Sequence, residues 1–403
     1  MAENPLEQSK LPTMEAPQRP EWKRRSPRHR PKGESERITY VDAVKGFAIV
    51  LVVLGHILRA EGEILSPEVE DMIADIIYAF HMPLFFFISG YCRALSERKG
   101  LMDAKGFART ALKLTGRLLP AYLLWTLIYY LVRILIGDPG DGVTWLTMTL
   151  TFRGVAPLWF LGDLLLSELL FLVLQWAAKG RMLIHTAAAL VFGALSCPTA
   201  VLLMSANELK LARTAQDRAE AALAGTKVIF DAASHIRPYL QIVVGRIVFT
   251  LFFLCCGYLA ARLLARRRLP ALDHLLLGAV GLLLLPLLQF CFGGDINLHL
   301  CIIEHPLVFL ATGLCGALGI LSLCQGLCAI LPLWAMRWLG RNSMGIMVLH
   351  YPPFPVMTQC AAWCLLLNPA LAELPVQFLL SQTALTIAFC ALLTFLLQRR
   401  LFL

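Results

Sequence analysis

The sequence predicts an all-α integral membrane protein with about ten transmembrane helices and with both termini in the cytoplasm. Of its 403 residues, 58% are hydrophobic and only 16% are charged, and the mean hydropathy is +0.67. A water-soluble domain of this length fills its core with much less apolar content. Apolar stretches of about 20 residues recur along the chain, and each can cross about 30 Å of hydrocarbon.

The ten apolar stretches alternate with charged loops. They lie at 41–58, 73–92, 118–136, 158–177, 183–203, 239–261, 271–292, 306–331, 343–365 and 376–398. Most of the 36 lysines and arginines fall in the N-terminal tail and in the loops on the same side as that tail. Because basic loops stay in the cytoplasm, this bias predicts that both termini are inside. The protein is expected to be a multi-pass protein of a cell membrane, most often the bacterial plasma membrane. The net charge of +9 follows from this topology and requires no nucleic-acid partner.

Two segments fall outside the predicted spans. Residues 1–37 are polar and rich in Pro, Glu and Arg, which predicts a disordered, basic cytoplasmic tail before a membrane domain at 38–403. Residues 207–238 form a long extracytoplasmic segment whose Leu and Ala spacing fits a helix at the outer interface. That helix could cover a substrate entrance or act as a spacer. Cys291 and Cys301 flank another outer loop and could pair in an oxidising compartment.

The first predicted span contains charged and titratable residues despite its apolar surroundings. Its sequence, DAVKGFAIVLVVLGH, places Asp42, Lys45 and His56 in one helix, although a charge in hydrocarbon costs about 2.5 to 3.5 kcal/mol on insertion scales. Lys45 and His56 stand about three helical turns apart and therefore share a face. Asp42 is close enough along the helix to pair with Lys45. The span is predicted to hold an acid–base pair near its inner end and an imidazole deep in the membrane.

Two more histidines are predicted inside the membrane. His81, in the second span, lies at a depth similar to that of His56, and Ser89 lies with Lys45 near the cytoplasmic mouth. His350 is followed by Tyr-Pro-Pro, which interrupts a helix. It is expected about 13 Å deep, bordering a tunnel between those two levels. A single such histidine is often a hydrogen-bonding residue between helices, but three of them with Lys45 favour a wet polar cavity.

Four stretches of the sequence read DAVKGFAIVLVVLGH, FHMPLFFFISGY, PLWFLGDLLLSELLF and LGRNSMGIMVLH. Together they resemble the membrane acyltransferase 3 family over about residues 39–398. The best-known motif of the family is an arginine, ten residues and a histidine, and this sequence has Lys45 and His56 at that spacing. Lysine there is typical of a subset that resembles fucose O-acetylases. A lysine does not bind a phosphate in the bidentate manner of an arginine.

The resemblance implies a membrane O-acyltransferase, most often an O-acetyltransferase. Such an enzyme moves acetyl from cytoplasmic acetyl-CoA, as a donor substrate, to a hydroxyl of a cell-surface or lipid-linked glycan. The expected partners are acyl-CoA, this glycan or lipid-linked sugar, and membrane lipids. No tightly bound cofactor and no metal are expected. The expected catalytic residues are His56 and His81. The expected substrate-binding residues are Asp42, Lys45, Ser89, Gly90, Tyr91, Trp159, Asn342, Ser343 and His350. Some members carry an extracytoplasmic hydrolase-like domain; none follows the last span here, so such a step is expected to need a separate partner.

The chemistry of these residues fits acyl transfer but leaves alternatives open. A histidine can take the proton of the acceptor hydroxyl near neutral pH, and the acyl group could pass directly or through a covalent acyl-histidine. A transporter of a lipid-linked or small acidic solute would also use polar residues at the membrane midplane. That transporter would form no covalent product. A sensory membrane domain is the third class.

Overall fold

The computed structural model describes residues 39–60, 64–97, 102–137, 142–223, 232–264, 269–351 and 355–401. The predicted tail at 1–37 lies outside these residues. The helices are α1 (Thr39–Ala60), α2 (Pro67–Ser96), α3 (Ala104–Leu135), α4 (Gly142–Leu150), α5 (Trp159–Ala178), α6 (Met182–Leu223), α7 (Ala232–Leu264), α8 (Ala271–Phe292), α9 (Pro306–Ile330), α10 (Trp334–Arg341), α11 (Ser343–Leu349), α12 (Val356–Leu367) and α13 (Pro375–Leu401). Short 3-10 helices occupy Ala156–Leu158 and Pro369–Glu373, and the strands are β1 (Ile296–Asn297) and β2 (Ile302–Ile303).

The all-α integral membrane fold is confirmed. Within the described ranges, nine helices are long and apolar enough to cross a membrane, and they match nine of the ten predicted spans. The remaining predicted span, 343–365, forms two short helices, because α11 ends at Leu349 and α12 begins at Val356. The Tyr-Pro-Pro sequence lies between them, and prolines remove backbone donors that a continuous helix requires.

The long segment at 207–238 is helical where the structure describes it. Helix α6 continues from its membrane-crossing part to Leu223, and α7 begins at Ala232. Residues 224–231 lie outside the described ranges. The described parts therefore extend the two neighbouring helices, whereas the sequence predicted a single interfacial helix.

Glycines allow the central helices to approach closely. A Cβ at Gly46 of α1 would collide with the backbone of Met336 in α10, and a Cβ at Gly90 of α2 would collide with the backbone of Leu254 in α7. In lipid, helices associate through this kind of van der Waals contact, because the hydrocarbon removes the hydrophobic driving force. Helices α1, α2, α7 and α9 are consequently largely buried, whereas α8 exposes most of its surface.

A small hairpin connects α8 to α9. Strands β1 and β2 pair antiparallel, with Ile296 opposite Ile303 and Asn297 opposite Ile302. The turn between them carries His299 toward the helix bundle. Cys291 is exposed and Cys301 is buried, and both are free thiols, so the disulfide considered from the sequence is not formed in this structure.

Candidate active site

Three histidines line one cavity of about 190 Å³ inside the bundle. His56 comes from α1, His81 from α2 and His299 from the hairpin turn. The structure thus brings together His56 and His81, which the sequence places at similar depth, and adds Trp159 from the start of α5 to the same wall. The other lining residues are Val52, Tyr78, Met82, Phe85, Pro157, Phe160, Asn297, Leu298, Met347 and Tyr351.

The hydrogen bonds of His350 define the protonation of His56. His350 Nδ1 lies 3.0 Å from the carbonyl oxygen of Ile346, which only accepts, so this nitrogen carries the proton. In the neutral ring His350 Nε2 is therefore an acceptor. It lies 2.9 Å from His56 Nδ1, which must donate to it. His56 Nε2 is left unprotonated, which is the state that a general base or a nucleophile requires.

His350 does not lie where the sequence places it. It was expected to border the donor tunnel below the other histidines, but it is fully buried behind His56, with the two rings stacked at a centroid distance of 5.0 Å. The depth estimate counts Cα positions along straight and upright helices. That estimate leaves out helix tilt and the reach of two imidazoles toward each other.

His81 is also held by the backbone of its own helix. Its Nδ1 donates to the carbonyl oxygen of Ile77 at 2.7 Å, so Nε2 is the unprotonated nitrogen. The ring packs edge-to-face against Tyr78 at a centroid distance of 4.9 Å. His81 therefore lines the cavity as an acceptor that its helix keeps in one orientation.

A second and larger cavity, of about 770 Å³, lies at the Lys45 end of α1. We refer to it as the basic vestibule, because five cations line it: Lys45, Arg93, Lys113, Arg117 and Arg341. Ser89 and Ser343 line it as well. Phe85, Phe160 and Met347 line both the vestibule and the histidine cavity. These three apolar side chains therefore form the boundary between the two chambers, and we call them the apolar gate.

One carboxylate lines the basic vestibule, and it is already engaged. Glu168 accepts a short hydrogen bond from the hydroxyl of Ser89 and an ion-pair hydrogen bond of 2.5 Å from Arg93 Nε. Asp42 is paired with Arg341 at 2.8 Å, not with Lys45 as the sequence suggested. The described residues thus show no ion-pair partner for Lys45, which lines the vestibule.

Five predicted substrate-binding residues line neither chamber, and besides Asp42 and His350 they are Gly90, Tyr91 and Asn342. Gly90 is buried in the α2–α7 contact described above. The hydroxyl of Tyr91 lies 2.9 Å from that of Tyr40. The side-chain amide of Asn342 donates to the carbonyl oxygen of Trp338 at 2.8 Å. In this structure all three therefore make contacts between or within helices.

A buried charged cluster lies against the residues that form one wall of the histidine cavity. Arg246 of α7 pairs with Asp163 of α5 at 3.0 Å, and both side chains are fully buried. Arg246 also donates to the backbone carbonyls of Phe152, Arg153 and His299. Neither Arg153 nor His299 was among the residues expected from the sequence. Arg246 could have indicated this cluster from the sequence, because it is a charge in an apolar span. His299 could not, because a single histidine in a loop forms no recognisable sequence pattern.

A family model described as an acyltransferase domain matches residues 38–396, nearly the whole membrane domain. The chain belongs to the acyltransferase 3 family. Two curated relatives are both named nodulation protein NolL. That of Mesorhizobium japonicum is 29% identical over 150 residues, which are 36% of this chain and 38% of the relative. That of Sinorhizobium fredii is 33% identical over 144 residues, which are 34% of this chain and 37% of the relative.

The two alignments cover too little of either relative to show the activity of the whole protein. The chain aligns with little more than a third of the length of either NolL relative. No solved structure matches it. The family match, by contrast, includes α1 through most of α13 and therefore every residue of both chambers in this acyltransferase 3 protein.

Proposed function

We propose that this acyltransferase 3 protein is a membrane O-acetyltransferase. In this proposal it moves acetyl from cytoplasmic acetyl-CoA to a hydroxyl of a cell-surface or lipid-linked glycan. The observation that carries the proposal is the pair of chambers that meet at the apolar gate. One chamber is lined by cations, and the other holds the unprotonated Nε2 of His56. A donor and an acceptor from opposite sides of a membrane need two such approaches to one reacting centre.

The basic vestibule fits the donor. CoA carries several phosphate charges, and a concave surface lined by lysines and arginines attracts such an anion and holds it through charge-assisted hydrogen bonds. Lys45 has no ion-pair partner among the described residues, so binding a phosphate would break no pair that they form. The pantetheine arm is uncharged and slender, and it would pass Ser89 and the apolar gate to bring its thioester to His56.

The size of the histidine cavity favours a short acyl group. Its volume of about 190 Å³ lies below the range of about 300 to 1,000 Å³ that is usual for drug-sized ligands. A fully inserted long acyl chain would compete with the acceptor for this space. An acetyl group takes less of this volume than a long acyl chain and leaves more room for the sugar hydroxyl. For this reason we propose acetyl as the transferred group.

The chemistry assigned to His56 is general-base catalysis. Its Nε2 takes the proton of the acceptor hydroxyl while the oxygen attacks the thioester carbonyl, forming a C–O bond and moving the carbonyl π pair onto oxygen. When this tetrahedral intermediate collapses, the C–S bond breaks and the imidazolium returns the proton to the CoA thiolate. The products are the acetyl ester and CoA thiol. His350 accepts the Nδ1 proton of His56 in a hydrogen bond and thereby acts as a positioning residue.

The apolar gate would protect the thioester during this reaction. Phe85 and Phe160 stand with ring centroids 5.5 Å apart at the boundary between the chambers. Apolar side chains around the thioester exclude water, which would otherwise compete with the sugar hydroxyl. Hydrolysis of acetyl-CoA is therefore expected to be slow in the absence of an acceptor.

The test uses membranes that contain the natural acceptor. Inside-out vesicles from cells that lack the gene, with the protein re-expressed, receive acetyl-CoA labelled in the acetyl group, and both free CoA thiol and label in the glycan are measured. We refer to this as the vesicle assay. The expected result is equal formation of CoA thiol and glycan acetyl, dependent on His56. Solute movement without consumption of acetyl-CoA would contradict the proposal and favour a transporter.

A further inference from the structure

The hairpin places a differently protonated histidine in the same cavity as His56. His299 stands in the turn between β1 and β2 and lines the same cavity. Its Nε2 lies 2.5 Å from Nη1 of Arg153. A guanidinium has only donors, so Nε2 of His299 is the acceptor and the proton of the neutral ring is on Nδ1. Among the rings that line this cavity, Nε2 is therefore unprotonated in His56 and His81, whereas Nδ1 carries the proton in His299.

The charges around His299 keep it in this state. Burial and the nearby Arg246 lower the pKa of Arg153 to about 10, so Arg153 is still a cation at neutral pH. Burial, with help from Arg153 and Arg246, holds the pKa of His299 well below its usual range. His299 is therefore a neutral imidazole with a single donor. A neutral imidazole can polarise a carbonyl without carrying a charge in the ground state.

The scaffold that holds His299 is built from buried groups. The imidazole stacks on Trp159 with a centroid distance of 5.6 Å and an interplanar angle of 19°. The guanidinium of Arg246 lies 5.0 Å from the centroid of the Trp159 ring. Arg153 is buried as well, and its Nε has no hydrogen-bond partner among the described residues. Burying two arginines with one aspartate is costly, and such clusters often mark functional sites.

From these contacts we infer that His299 donates its Nδ1–H to the oxyanion of the tetrahedral intermediate, and that Arg153 is the positioning residue which fixes this tautomer. The inference rests on the proposed acetyl transfer and assigns the electrophilic half of the same reaction. His56 removes the acceptor proton, and His299 stabilises the charge that the carbonyl π pair brings to oxygen. A preorganised donor contributes most where charge develops in a site that excludes water.

The test compares two substitutions at position 299 in the vesicle assay. His299→Phe keeps an aromatic ring for Trp159 but removes the N–H donor. Loss of one oxyanion donor typically lowers kcat by about 10²- to 10³-fold, and we expect this fall with the KM for acetyl-CoA within about threefold of the parent. His299→Asn places an amide N–H near the position of Nδ1. We expect its kcat to be at least tenfold higher than that of His299→Phe.

A third substitution and a matched control separate the oxyanion role from folding. Arg153→Met leaves the imidazole in place but releases its tautomer, and we expect kcat to fall by about tenfold. His185 is a buried histidine that stacks on Tyr258 and lines neither chamber. His185→Phe should therefore leave kcat and KM unchanged when the rate is divided by the amount of folded protein.

The outcomes that overturn the inference differ from those that overturn the proposed function. If His56→Ala is inactive but His299→Phe keeps kcat within threefold of the parent, the oxyanion role is wrong and acetyl transfer stands. The role is equally wrong if His299→Phe changes only a KM, because the residue would then bind substrate. If the parent shows no release of CoA thiol that depends on His56, the proposed function fails and the oxyanion role fails with it.

Discussion

Replacing His350 by phenylalanine tests the positioning role of this histidine most directly. The change keeps a ring of similar size behind His56 but removes the acceptor that lies 2.9 Å from His56 Nδ1. A buried donor without a partner costs about 1 to 3 kcal/mol. Because His56 becomes an imidazolium in the transition state, its Nδ1–H bond is strongest there. At tenfold per 1.36 kcal/mol, a penalty of this size in the transition state lowers kcat by roughly 5- to 150-fold. The KM for acetyl-CoA should stay within about threefold, because His350 lines neither chamber.

His350→Gln is the matched variant for this experiment. The side-chain oxygen of glutamine can accept the Nδ1 proton of His56 from a position close to that of Nε2, so kcat should return to within about fivefold of the parent. Both variants are measured in the vesicle assay with rates divided by the amount of protein in the membrane. The positioning role is refuted if His350→Phe retains the parental kcat. It is also refuted if His350→Gln loses as much activity as His350→Phe, since packing would then explain both losses.

Three further predictions follow from the chambers and from the helix contacts. Lys45→Ala should raise the KM for acetyl-CoA about tenfold, and Lys45→Arg should keep the KM near that of the parent, because the vestibule needs the charge. Lys105→Ala is the control, since Lys105 is an exposed cation that does not line the vestibule. An unchanged KM in Lys45→Ala would exclude donor binding by Lys45. Gly90→Ala should lower the free energy of unfolding of the purified protein by about 1 to 3 kcal/mol without changing the KM for acetyl-CoA, because the new Cβ meets the backbone of Leu254. A changed KM with an unchanged free energy of unfolding would instead place Gly90 at the substrate. In a cysteine-depleted background, Glu373→Cys should react with an impermeant thiol reagent in intact cells and Lys105→Cys only after permeabilisation, and the reverse pattern would invert the predicted topology.

The fold class and the approximate number of spans could be predicted from the sequence because the membrane imposes local rules. A crossing helix needs about 20 consecutive apolar residues, so nine continuous helices and the interruption after His350 are visible in linear order. A lysine or a histidine inside such a stretch is costly, and for this reason Lys45, His56 and His81 stand out in the sequence itself. The motif resemblance also indicated the family, which the match over residues 38–396 confirms.

The partners of these residues were decided only by tertiary packing. Asp42 pairs with Arg341 across 299 positions of the chain, and His56 with His350 across 294 positions. Which residue lies nearest depends on helix tilt, on glycine contacts and on side-chain reach, and none of these follows from spacing within one helix. The protonation of each imidazole depends in turn on that nearest partner. The sequence alone therefore determined that several histidines lie within the membrane, and the packing of distant helices and of one hairpin turn determined which nitrogen of each histidine carries the proton.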